Sequence, residues 1–198
     1  MTKSLGRRLL ALAAVLAVTP WASAHPGHDG GHDLTWDFSG GLAHPLSGVD
    51  HLLAMIAVGL WAAQLGGRAR WLVPLAFVGV MTLGAVLGHA GLAFSGIEQG
   101  IAASVLVLGL LIATSVRLTV AAGMALAGVF ALFHGLAHGA EMPATAGGLS
   151  YGMGFIAATC LLHLAGIGLG TLAARRSDKI ASYAGWGITA AGVVLFAL

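Results

Sequence analysis

Cysteine is almost absent: Cys160 stands alone, so the chain can form no internal disulfide and cannot build a multi-thiolate site for soft metals. Charge is equally scarce, with 9 Lys+Arg and 7 Asp+Glu in 198 residues. A net charge of +2 carried on scattered basic residues gives no continuous cationic face, and nucleic acid is excluded as a partner. No Gly-x-x-x-x-Gly-Lys-Ser/Thr phosphate loop occurs, so intrinsic ATP coupling is excluded too. What the chain does have is apolar bulk (58% hydrophobic residues, mean hydropathy +0.93), 31 glycines and 9 histidines. Small residues let membrane helices approach closely, and ionisable groups among such helices are costly unless they have a partner, a wet cavity or a function.

This balance predicts an all-α polytopic membrane protein, a six-helix transmembrane bundle after removal of a signal peptide. Residues 1–24 read as that peptide: Lys3, Arg7 and Arg8, then an apolar stretch from Leu9 to Val18, then Ala22-Ser23-Ala24 as the cleavage site. Residues 25–43 form a periplasmic His-rich segment whose His25, His28 and His32 suit a flexible metal collector. The transmembrane domain is expected over 44–198. Its apolar runs of about 20 residues fall at 44–65, 71–93, 97–116, 119–139, 150–173 and 180–198. With the mature N-terminus outside, Arg68, Arg70, Arg117, Arg175, Arg176 and Lys179 all face the cytoplasm, the positive-inside pattern. A bacterial inner membrane is the natural setting, with both mature termini periplasmic.

Two clusters carry the chemistry. The first runs from His44-Pro45 through Gly48, Asp50 and His51 to Met55. On a continuous helix opening at Pro45, His44, Gly48, His51 and Met55 share one stripe, while Asp50 points about 100° away from His51. Asp50 then orients an imidazole of a neighbouring span, or becomes a ligand itself if the helix is distorted there. The second cluster, Phe133-His134-Gly135-Leu136-Ala137-His138-Gly139-Ala140-Glu141, puts His134, His138 and Glu141 on one helix face. Imidazoles one turn apart can chelate a single divalent ion. His89 near the outer end of the second span reads equally as a ligand or as an interhelical hydrogen-bonding residue. His163, in the middle of the fifth, is the deepest and reads as a pathway station. Met55 is a soft ligand or a packing residue, and Cys160 is a small buried apolar group.

Both clusters resemble the signatures of the HupE/UreJ secondary transporters, permeases for nickel or cobalt linked to hydrogenase and urease maturation. His-Pro-x-x-Gly-x-Asp-His-x-x-x-Met is matched in full from His44 to Met55, and Phe-His-Gly-x-Ala-His-Gly-x-Glu in full from Phe133 to Glu141. The resemblance extends over nearly the whole chain and implies metal-handling roles for His44, Asp50, His51, His134, His138 and Glu141. The roles of His89 and His163 rest on position alone.

The function expected is a permease carrying a divalent ion, most of all nickel or cobalt, from the periplasm to the cytoplasm. Imidazole and carboxylate donors suit borderline ions, and conduction needs a site tight enough to load and weak enough to release. Such ligands bind deprotonated, so uptake should fall at acid pH. The partners are the ion and the lipid bilayer, and no catalytic cofactor or enzymatic activity is expected. Copper, zinc or iron transport, a membrane metalloenzyme and a non-transporting sensor are the alternatives.

Overall fold

Proline and glycine decide where the helices of this chain stop. The computed structural model describes residues 36–93, 95–142 and 147–198, so the expected signal peptide and the His25–His32 tract lie outside the described residues. Seven helices occur among them: α1 (Phe38–Ser47), α2 (Val49–Leu65), α3 (Ala69–His89), α4 (Ile97–Thr114), α5 (Val120–Glu141), α6 (Gly147–Arg176) and α7 (Asp178–Ala197).

Helices α3 to α7 are each long and apolar enough to cross a membrane, and α1 with α2 makes a sixth span if the pair counts as one. Large apolar side chains such as Leu75, Val86, Leu161 and Val193 point outward. In water this much exposed apolar surface would drive aggregation; in a bilayer it is the lipid-facing side. The chain is a multi-pass helical membrane protein. Its cationic side chains beyond residue 24 gather at three connections: Arg68 and Arg70 at α2–α3, Arg117 at α4–α5, and Arg175, Arg176 and Lys179 at α6–α7.

One expectation needs correction. The first span does not begin at residue 44 as a continuous helix. Asp37 caps α1 by accepting from the Gly40 N–H at 2.9 Å, so the helix starts at Phe38 and places Pro45 in its last turn, not its first. A proline there has no N–H to donate to the Gly41 carbonyl and weakens the turn. The chain then turns extended at Gly48 (φ −92°, ψ 122°), and α2 leaves at 86° to α1. His44, Gly48, His51 and Met55 therefore do not form one helical stripe.

Packing runs through three close pairs, α3 with α5, α4 with α7, and α2 with α6, while α1 lies along the outer part of α6. Glycines make each approach close. A Cβ on Gly84 of α3 would stand 3.1 Å from the Cα of Gly135 on α5, and one on Gly59 of α2 would stand 2.9 Å from that of Gly166 on α6. Without a hydrophobic drive between helices in lipid, such backbone contact supplies the van der Waals attraction that holds the bundle. At the basic end, Gln64 Nε2 donates to the Ile112 carbonyl (3.1 Å) and Ser182 Oγ to that of Ala113 (2.7 Å), tying α2 and α7 to α4.

Candidate metal site

The break at Gly48 brings the first motif to the second. His44 at the end of α1 and His51 in the first turn of α2 both face α5, and all three elements meet at the end of the bundle remote from the arginines. The His44 ring centroid lies 4.8 Å from that of His138 and 6.3 Å from that of His51. His51 lies 4.4 Å from His138 and 4.9 Å from His134, with its Nε2 2.5 Å from His138 Nε2. Four imidazoles from three helices thus pack in one nest, each less than a tenth exposed.

Although the helix is broken here, the Asp50 carboxylate is turned to an imidazole. Its Oδ1 accepts from the His51 backbone N–H (2.8 Å) and from His51 Nδ1 (2.9 Å). With Nδ1–H committed to the carboxylate, His51 Nε2 presents its lone pair toward His138. Gly48 makes room for this pair: a Cβ there would stand 2.8 Å from Asp50 Oδ1 and 3.2 Å from His51 Nδ1. The expectation that Asp50 orients an imidazole on another span is corrected to its own chain neighbour.

His134 is fixed differently. The Ser104 hydroxyl donates to the Ile101 carbonyl at 2.6 Å, so its oxygen is left to accept from His134 Nε2–H at 3.1 Å. The lone pair of that fully buried ring then sits on Nδ1, which has no hydrogen-bond partner among the described residues. Glu141, exposed at the rim, holds Oε2 3.8 Å from His138 Nδ1. Donor atoms of His44, His138 and Glu141 lie within 4.8 Å of one another. Ligands opposite each other on an ion with bonds of about 2.1 Å stand about 4.2 Å apart, so a small closure brings this trio to bonding distance. Negative partial charge at the C-terminus of α1 and the two carboxylates favour a cation here.

Other expected residues are placed elsewhere. Met55 is fully buried in the apolar core. His89 is exposed at the end of α3 and lines an apolar cavity of about 240 Å³ between α3, α5 and α6, which His138 also borders. His163 is buried near the middle of α6, and the Phe77 ring contacts both it and His134. Reading the sequence missed Ser104, Phe77 and the aromatic wall of Tyr151 and Phe155, which stands 5.9 and 5.8 Å from His44. The four-residue spacing of Tyr151, Phe155, Thr159 and His163 was a usable signal for that wall.

The fold and the site together define a multi-pass helical membrane protein with a nest of imidazoles and carboxylates at one end of its bundle. Residues 12–195 match the family described as HupE / UreJ protein, and the chain belongs to that family. It is 44% identical over 183 residues to Protein HupE of Rhizobium leguminosarum bv. viciae, covering 92% of this chain and 93% of that relative. No solved structure matches it.

Proposed function

We propose that the chain is a secondary permease for a divalent transition metal, nickel or cobalt, which it takes from the periplasm and releases to the cytoplasm across the bacterial inner membrane. One observation carries this reading: two motifs more than 80 residues apart in sequence deliver their imidazoles to one buried point, with His51 and His138 facing each other through Nε2. Two neutral imidazoles there can share only one proton; parted to about 4 Å, the same rings can hold a divalent ion that satisfies both lone pairs. Glu141 at the rim and His44 behind it receive the ion from outside, and Asp50 holds His51 in the metal-binding tautomer. His134 lies next inward. A donor set of nitrogen and carboxylate oxygen without thiolate suits nickel and cobalt and permits release. The family link to hydrogenase and urease maturation supplies a destination for nickel.

Purified protein in proteoliposomes is the test. Vesicles should accumulate radiolabelled nickel above empty vesicles, and the paired substitution His51→Ala, His138→Ala should abolish the difference. Accumulation no greater than in empty vesicles, from correctly folded protein, would contradict the permease reading.

A further inference from the structure

One face of α6 continues beyond the imidazole nest. Tyr151 and Phe155 contact the outer histidines, and the same four-residue step next reaches Thr159 and then His163. At 1.5 Å per residue, His163 stands about 12 Å along the helix from Phe155, toward the middle of the bundle. His163 is 2% exposed and Thr159 fully buried. Neither ring nitrogen of His163, nor the Thr159 hydroxyl, has a hydrogen-bond partner among the described residues.

Polar atoms left unpaired among apolar helices cost free energy that a packing role does not return. A histidine kept only to bridge helices would be hydrogen-bonded across to one; α2 meets only the His163 backbone carbonyl, at Gly59, and α3 sets the Phe77 ring against the imidazole. Phe77 is itself fully buried, 5.7 Å from His134 and 5.1 Å from His163 by ring centroids. The order inward is imidazole nest, phenyl ring, then a second imidazole with a hydroxyl one turn away.

We propose that His163 and Thr159 form a second cation station in the middle of the bundle, separated from the outer nest by the Phe77 ring and occupied by the same divalent ion in transit. The identity of the ion rests on the permease reading; the existence of the station does not. A neutral imidazole nitrogen and a hydroxyl oxygen are both donors to a cation. So sparse a set, completed by water, holds an ion loosely, as a station on a path must. The intervening phenyl acts as an apolar constriction that an ion passes only when the ring moves.

Cobalt binding to the full-length protein in detergent, measured by equilibrium dialysis, tests this. The variant His51→Ala, His138→Ala should keep about one weakly held equivalent, and adding His163→Gln should remove it. His163→Gln alone should retain the tight outer equivalent, which also shows that the fold survives. Residual binding that is absent, or unchanged by His163→Gln, overturns the inner station. If the paired alanine variant binds as tightly as wild type, the outer reading fails, while loss of one equivalent on adding His163→Gln would still support the inner one. Should the glutamine variant unfold, Thr159→Val carries the same test: weakened inner binding supports the station, and unchanged binding overturns it.

Discussion

The two histidine motifs reach the same point by opposite means. The second lies on an unbroken helix, where His134, His138 and Glu141 keep the spacing that their sequence numbers imply. The first lies across a break, with His44 on α1 and Asp50 and His51 on α2 beyond an 86° bend. A straight helix offers donors along a single line. A broken one wraps donors around the line from the side, and its freed carbonyl ends add negative potential.

The largest effect should come from removing one donor on each side of this comparison. His51→Ala with His138→Ala should lower nickel uptake by more than about 100-fold, to the background of empty vesicles, since even outer-shell partners of a ligand are worth 10–100-fold. Asp50→Asn should come next, with nickel affinity weakened by about 10-fold or more in isothermal titration, because the amide cannot hold His51 Nδ1–H as a carboxylate does. An affinity within twofold of wild type would remove Asp50 from the account.

Two glycine substitutions separate site from scaffold. Gly48→Ala crowds Asp50 and His51, and should weaken nickel binding several-fold while the protein remains folded. Gly139→Ala sets a methyl against the Ala85 backbone, and should cost about 1–3 kcal/mol of stability, read by thermal melting in detergent. Equal effects of both on binding would deny the broken segment its separate role. The smallest change is expected of Met55→Leu, a shape-conserving swap in the apolar core, with uptake within about twofold of wild type. A large loss there would point to Met55 as a ligand rather than a packing residue.

Much of the fold was legible because hydropathy and basic residues report directly on membrane crossing. The spans expected at 71–93, 97–116, 119–139, 150–173 and 180–198 correspond to α3 to α7, with ends shifted by a few residues. The second motif was legible for the same reason that its geometry is simple: helical periodicity holds through it. The first motif was not, since regular periodicity was carried across Pro45 and Gly48 where the backbone abandons it. The Asp37 cap, three residues before the Gly40 N–H that it binds, was the local sign that a helix starts earlier. Ser104 and Phe77 were illegible for a different reason. They join the site through the packing of α4 and α3, and no spacing within one helix encodes which neighbour a side chain will meet.

The central claim is that both motifs ligate one ion. X-ray absorption at the nickel edge of the loaded, purified protein measures the imidazole count directly. The account predicts scattering from at least two imidazoles, falling by one in His51→Ala and by one in His138→Ala. A count unchanged by either substitution would show that the ion sits elsewhere and contradict the account.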